Sequence, residues 1–430
     1  MAFRAERADS SARSTLEFLH ELLRDYHPRN FEIELWDGTR WEPEPGQFRR
    51  LTWKIARPGA LRTALTAPSQ LVLAQEFIFG DFDVEGDIEG VFPLADYLLN
   101  HEWGTKEKLR LGALLLRLPV DDRRHSSPPG AKLRGRVHSQ ERDRQAISYH
   151  YDVSNDFYGL WLGKGMVYSC AYFAHPGDDL ETAQTQKLDY ICRKLRLSEG
   201  ERLLDIGCGW GGLILHAARE YGVQALGITL SRQQFELATR RIRDSGLGER
   251  CQVKFLDYRE AAGLGVFDKV ASIGMVEHVG EINLEQYFRC AYQALRPGGA
   301  FLNHGIGVPE SRPRPKQPTF VDLYVFPDGD LVPLGTTLRY AERAGFEVRD
   351  VENLREHYAL TLRHWVRGLE ANAGQARRFV DDVTYRIWRL HMAGSAYYFQ
   401  TGKLDLYQTL LVKNESGRNS LPLTRADWYG

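Results

Sequence analysis

The stretch that most constrains this chain is residues 202–212, RLLDIGCGWGG, an apolar strand signal that runs into a turn of the form D-x-G-x-G-x-G. Asp205, Gly207, Gly209 and Gly211 follow Leu203-Leu204, and a helical run over residues 213–220 comes next. Glycine tolerates positive φ and lets the backbone approach a ligand that a Cβ would repel. Strand, glycine turn and helix N-terminus together make a nucleotide-sized cradle, used by dinucleotides and by methyl donors alike. Many such turns bind nothing, so the neighbours decide its use.

Those neighbours read as a doubly wound α/β domain. Strand-like pieces at residues 223–228, 251–256, 267–273 and 300–304 alternate with helical runs. Such alternation implies a parallel sheet, whose ligands collect beyond the carboxyl ends of the strands. Asp205, Thr229, Asp257, Gly274 and His304 are expected at those ends. Residues 358–411 read as mainly helical and aromatic.

At 430 residues the chain exceeds one typical compact unit. Residues 1–103 read as a small α+β domain for dimerisation or lipid docking. Its signals are a helix at 14–26, alternating strands at 31–36 and 51–55, a hairpin turn at Asp37-Gly38, and helices at 69–79 and 88–99 around an acidic turn at 80–87. Residues 104–145 read as a basic linker: from Lys106 to Arg144 there are eleven basic against five acidic residues. That excess suits an anionic membrane surface, although a solvated linker has the same composition. Residues 146–430 form the expected catalytic domain.

The remaining composition excludes classes. With 56 basic and 57 acidic residues there is no global bias toward nucleic acid. Five dispersed cysteines without a C-x-x-C pair speak for a reducing compartment and against structural zinc, so no metal is expected. No run of about 18 apolar residues occurs, and none of the N-terminal residues form an apolar leader. A cytoplasmic protein that visits the inner face of the membrane is expected.

A dinucleotide site calls for an acidic residue after the second strand. Residues 227–231, GITLS, have none. Thr229, Ser231 and Gln234 could hold hydroxyls there, while Ser231 with Gln234 also reads as a capping box. Asp257-Tyr258 suits an adenine, the carboxylate accepting from an exocyclic amine and the ring offering a stacking face; Asp257 could equally cap the next helix. Glu277 and His304, on adjacent strand ends, are the acid–base candidates, and His278 is read as structural.

Tyr168-Ser-Cys-Ala-Tyr172, Gln184-x-x-Lys187, LLDIGCGWGGL, GITLSRQQ, DYRE, MVEHVG, NHGIG and Tyr324-x-Phe326-Pro-Asp-Gly329 follow one another in the order of the cyclopropane-fatty-acid synthases and the related mycolic-acid cyclopropane synthases, which this chain resembles from about residue 147 to 412. The resemblance implies a Rossmann-like class I methyltransferase domain with a helical lid. It also implies methyl transfer from S-adenosylmethionine to a cis double bond of an unsaturated phospholipid acyl chain at a bilayer surface, by a homodimer like those of the family's bacterial, phospholipid-acting branch.

The donor site carries over onto Tyr168, Ser169, Gly207, Gly209, Thr229, Ser231, Gln234, Asp257 and Tyr258. The family's proton acceptor is a bound bicarbonate, whose cage carries over onto Cys170, Glu277, His304, the Ile306 carbonyl and Tyr358. The intermediate is a carbocation, which calls for a water-poor, aromatic-walled pocket; Tyr168, Tyr172, Phe173 and residues 397–399 are available for it. Two other outcomes stay open: a methylene- or methyl-branched product from the same cation, and a catalytically silent lipid-binding protein.

Overall fold

The computed structural model describes residues 10–120, 130–312, 315, 317–417, 419 and 421–429. It forms two compact units: residues 1–130, 317–320 and 382–394 make the first, and residues 131–316, 321–381 and 395–430 the second.

The first unit is built on four strands, β1 (Phe31–Leu35), β2 (Arg40–Trp41), β3 (Leu51–Ile55) and β4 (Phe82–Gly86), in the order β2-β1-β3-β4. Thr39 N–H donates to Asp37 Oδ1 at 3.0 Å, and Gly38 has φ of +83°, so the turn closes β1 onto the two-residue β2. The second alternating stretch, β3, lies parallel to β1 instead. The expected acidic turn at 80–87 is strand β4. Phe82 and Val84 are buried while Asp83 and Glu85 point outward, and Asp83 pairs with Arg386 at 2.9 Å. Two carboxylates in one short strand hide its period of two from composition.

The expected linker also carries regular structure. Helix Thr105–Leu115 joins the first unit through Leu114 and through ion pairs Arg24–Glu107 at 2.6 Å and Arg110–Glu21 at 3.0 Å. Helix Gln140–Tyr151 belongs to the second unit. Ser126 to Pro129 lie outside the described residues.

The second unit holds a seven-stranded sheet: β5 (Arg202–Ile206), β6 (Gln224–Thr229), β7 (Cys251–Phe255), β8 (Phe267–Ile273), β9 (Leu295–Gly307), β10 (Glu347–Asn353) and β11 (Asp405–Val412), in the order β10-β11-β9-β8-β5-β6-β7. β5 to β9 are parallel, and β11 runs antiparallel between β9 and β10. This mixed sheet is the class I methyltransferase fold expected from the sequence. The strand order reverses between β5 and β8, which opens a crevice at their carboxyl ends. β11 corrects the reading of residues 358–411 as mainly helical: after helices Arg355–Ala371, Ala373–Phe379 and Asp382–Gln400, the chain returns to the sheet.

Alternation along β5 feeds both faces. Leu203 packs with Ile191, Leu195 and Ile214 on one side, and Leu204 with Tyr287, Phe288 and Phe301 on the other. Each such fully buried side chain contributes about 1.5–3 kcal/mol. β9 continues to Gly307 because β11 pairs along its length, so His304 lies within the strand and not at its end.

The glycine turn is pressed against β6. Gly207 (φ +84°) and Cys208 both donate their N–H groups to Ile228 O at 3.0 Å. The Cys208 side chain fills the space beside Gly227, where an added Cβ would lie 2.6 Å from Sγ. Gly227→Val is therefore expected to cost about 1–3 kcal/mol through overpacking. A denaturant midpoint equal to the wild type would contradict this packing.

Candidate active site

A cavity opens at the carboxyl rim of the second unit's sheet. Its wall includes the turn residues Gly207 and Gly209, Thr229 and Gln234 after β6, Asp257 and Tyr258 after β7, and Tyr168 and Ser169 from the segment before helix Leu180–Leu195. Eight of the nine expected donor-site residues thus share one wall. Ser231 is the exception. Its hydroxyl donates to Asp152 Oδ1 at 2.6 Å and accepts from Gln234 N–H at 3.1 Å, so it is a fully buried helix cap.

Polar groups on this wall are arranged in short chains. Thr229 Oγ1 donates to Gln234 Oε1 at 2.7 Å and accepts from Ser231 N–H at 3.2 Å. Asp257 acts as a cap, its Oδ1 accepting from Arg259 N–H at 2.9 Å, and the residue also lines the cavity. Arg259 also reaches Asp257 Oδ2 at 2.9 Å and Asp143 Oδ2 at 2.6 Å, tying helix Gln140–Tyr151 to this wall. Burial raises the Asp257 carboxyl, opposed by the bonds from Arg259. Tyr258 OH is buried without a partner among the described residues, available to a ligand.

Sequence reasoning missed the floor of the cavity. Lys187 is 1% exposed and donates to Ser169 Oγ at 2.9 Å. Burial pulls its amine down to about 8, opposed by Cys170 and Asp205. Burial likewise pushes the Asp205 carboxyl up to about 7, opposed by Lys187, and Asp205 Oδ1 has no partner among the described residues. A spacing signal existed, since Gln184 and Lys187 share a helix face and Gln184 Nε2 donates to Ser169 O at 2.9 Å. A helical lysine is ordinarily solvated, which hid it. His278, read as structural, also lines the cavity. Its Nε2 meets Tyr151 OH at 3.2 Å, and burial pulls the imidazole down to about 4.

The acid–base candidates adjoin this cavity. Glu277 lies in the turn Val276–His278 just past β8, and its Oε1 accepts from Ile306 N–H at 2.7 Å. Its Oε2 is buried without a partner among the described residues. Burial pushes this carboxyl up to about 7, with the Ile306 bond opposing. His304 on β9 faces Ile273 of β8 and Gln408 of β11 in register. Its Nδ1 is 3.1 Å from Gln408 Nε2, and its Nε2 is buried without a partner among the described residues. Burial, then Lys187 and Lys194, hold its imidazole well below the ordinary value, so it is neutral.

Cys170 is fully buried, donates to Ala171 O at 3.1 Å, and is kept as a thiol by burial. Tyr358 is close enough to Cys170, Glu277 and Tyr151 for each to raise its phenol, behind the main effect of burial. Tyr151 and Lys187 couple to both groups of residues: Tyr151 is raised by burial and by Glu277, and Lys187 acts on Cys170 and His304. At Ile306 the N–H is taken up by Glu277, which leaves the carbonyl as the group expected to face an anion.

The aromatic wall differs in part from the expectation. Tyr168 is ringed by Trp365 at 5.2 Å, Trp161 at 5.6 Å and Tyr158 at 5.8 Å, and Phe399 packs on Tyr358 at 4.7 Å. Tyr172 instead stacks on His357 at 4.7 Å, and Phe173 on His364 at 5.6 Å. Both partners lie on helix Arg355–Ala371, which draws these two side chains away from the rings around Tyr168.

Comparison with known proteins bears on this arrangement. The family model for mycolic acid cyclopropane synthetase matches residues 138–409. A probable fatty acid methyltransferase of Pseudomonas putida is 42% identical, the alignment covering 92% of this chain and 95% of the relative. A second probable fatty acid methyltransferase, from Mycobacterium tuberculosis (strain ATCC 25618 / H37Rv), is 39% identical over 83% of this chain and 86% of its own. Among solved structures, the mycolic acid cyclopropane synthase CmaA1 complexed with SAH and CTAB superposes with a TM-score of 0.59 at 31% identity, covering 62% of this chain and 97% of that one.

The buried Glu277 has a consequence for stability. Its folded value of about 7 exceeds the ordinary 4.5, so the folded state binds more protons in that window. Stability is full below the ordinary value and falls as pH rises through about 7. Glu277→Gln removes this slope. Its unfolding free energy is expected to match the wild type near pH 4.5 and to exceed it at pH 8, by on the order of 1–3 kcal/mol. An equal difference at both pH values would show that the carboxyl is not held protonated.

Proposed function

The chain belongs to the mycolic acid cyclopropane synthetase family, and on that premise we propose that it transfers a methyl group from S-adenosylmethionine to the cis double bond of an unsaturated phospholipid acyl chain and closes it to a cyclopropane. The observation that carries this reading is the adjacency of two groups of residues: the glycine-turn cavity, and a buried set in which Tyr358 is close to Glu277 and Cys170, with His304 two residues before Ile306, whose N–H donates to Glu277.

The unpartnered Tyr258 OH and Asp205 Oδ1, with the bare backbone of Gly207 and Gly209, fit the donor. When bound it supplies a methyl group on a positively charged sulfur. Tyr168, Ser169, Gly207, Gly209, Thr229, Gln234, Asp257 and Tyr258 would hold it. The unpartnered Glu277 Oε2 and His304 Nε2, with the Cys170 thiol and the Tyr358 phenol near them, fit bicarbonate. When bound it supplies a base.

The chain's own residues do the rest. Ile306 N–H occupies Glu277 Oε1, so a proton on this carboxyl belongs on Oε2, where it faces an anion as a donor instead of a like charge. Burial keeps Cys170, Tyr358 and His304 uncharged, so all three can donate hydrogen bonds without adding a competing ion. Tyr151, Tyr158, Tyr168, Trp161 and Trp365 exclude water that would quench a carbocation, and their ring faces stabilise positive charge.

A second reading, a methylene- or methyl-branched product from the same cation, is supported by the names of the relatives, which are fatty acid methyltransferases. Ring closure depends on sub-ångström placement of the base, so both share this site. Docking would use helix Thr105–Leu115 and its continuation, where Leu109 and Leu116 are 72% and 71% exposed beside Lys106, Lys108 and Arg117. Among the described residues no helix is long and apolar enough to cross a membrane. Apolar anchors with basic neighbours instead suit the surface of an anionic bilayer.

The test is incubation with S-adenosylmethionine and vesicles of unsaturated anionic phospholipid, followed by analysis of the acyl chains. The expected result is a gain of one carbon per converted chain, as a ring or as a branch, that declines with added salt. Glu277→Gln should lower turnover at least ~100-fold while donor affinity stays within about twofold. Chains of unchanged mass would overturn the reading in favour of a silent lipid-binding protein.

A further inference from the structure

His304 is neutral, and a neutral imidazole has one N–H and one lone pair. Which nitrogen carries the proton decides whether Nε2 donates to an anion or repels it. That choice is made on the other side of the ring, by the group that meets Nδ1.

The group is Gln408 of β11, the direct cross-strand partner of His304. Both side chains are buried, at 0% and 1% exposure, and Gln408 Nε2 lies 3.1 Å from His304 Nδ1. An amide nitrogen only donates, so Nδ1 accepts and the proton belongs on Nε2. The register around the pair is pinned at the neighbouring Asn303–Thr409 position. Thr409 Oγ1 donates to Asn303 O at 3.2 Å, and Tyr287 OH donates to Asn303 Oδ1 at 2.7 Å. Eight consecutive residue pairs join β11 to β9, so the Gln408 backbone is held opposite His304.

We propose that Gln408 is a positioning residue that holds His304 in the Nε2–H tautomer, leaving Nε2–H as the donor to the anion held beside Glu277. This rests on the base-site reading given above. No mechanism step is assigned to Gln408 itself; it acts by fixing the direction of the hydrogen bond that His304 offers. Removing the amide leaves Nδ1 without a donor and both tautomers accessible. Replacing it by a carboxylate of the same size reverses the polarity, because a carboxylate accepts and draws the proton to Nδ1.

The experiment uses the full-length chain with 15N-labelled histidine, and identifies the His304 ring signals by their loss in His304→Asn. Two-dimensional spectra are compared for the wild type, Gln408→Met and Gln408→Glu. The wild type is expected to show a protonated Nε2 and a bare Nδ1, Gln408→Glu the reverse, and Gln408→Met a mixture. With S-adenosylmethionine and the same unsaturated vesicles, both variants are expected to lose ~10-fold or more in kcat, with donor KM within about twofold. Gln408→Glu should be the slower of the two despite matching the native side chain in size.

A proton on Nδ1 in the wild type would overturn the proposal. So would Gln408→Glu keeping wild-type kcat, or losses that follow the thermal midpoints of the variants and not the tautomer. The spectra need no turnover, so they decide the role of Gln408 even on a result that sinks the methyl-transfer reading.

Discussion

At the rim of the seven-stranded sheet, the Ile306 N–H meets Glu277 Oε1 at 2.7 Å, and this single bond joins the turn after β8 to strand β9. Without it, a carboxyl pushed up to about 7 by burial would have no fixed direction. With it, one oxygen is occupied and the other is left for whatever enters the site. Asp330 N–H adds a second tie, donating to the Glu277 carbonyl at 2.9 Å, so the backbone of the turn is held as well as the side chain. The rest of the base site takes its bearings from this position, since His304 is two residues before Ile306 on the same strand.

The antiparallel strand β11 is what makes that rim chemically specific. It covers the outer edge of β9 and sets Gln408 against His304, so the imidazole is gripped from within the sheet. Buried ionisable groups are costly unless paired, and here the costs are spread over neighbours that share few bonds. Lys187 and Asp205 moderate each other without a close ion pair, and the polar hydrogens of Cys170 and Tyr358 stay on their atoms. The result is a set of uncharged donors around one titrating carboxyl, beside a wall of aromatic rings. Such a place suits the proposed anion, which carries its own hydroxyl, and is hostile to bulk water.

Much of the cavity wall was legible because its residues follow their strands directly. Gly207 and Gly209 come after β5, Thr229 ends β6, and Asp257 and Tyr258 come after β7, so strand-end logic alone collected them. Ser231, from the same strand end, is instead a buried helix cap off that wall, because a hydroxyl at a helix start has a local use that competes with any ligand. Lys187, Arg259 with Asp143, and Gln408 were not legible as site residues. Their roles depend on partners 18, 116 and 104 residues away, and no local period encodes those distances. In the first unit, β4 was read as a turn because its outward-facing carboxylates outweighed the buried Phe82 and Val84. Tyr172 and Phe173 show the same limit on the aromatic side, since an apolar segment does not announce which rings face a cavity.

The central claim is that a donor half and a base half act on one carbon, the methyl group being delivered from the glycine-turn cavity and deprotonated at the Glu277 and His304 cluster. S-adenosylmethionine with a fully deuterated methyl group tests it most directly, by mass analysis of the modified acyl chains. The claim predicts that each transferred carbon arrives with three deuterium atoms and keeps two, because one is lost to the base. Retention of all three would mean that the proton leaves from the acyl chain itself, and would contradict the account of the base site.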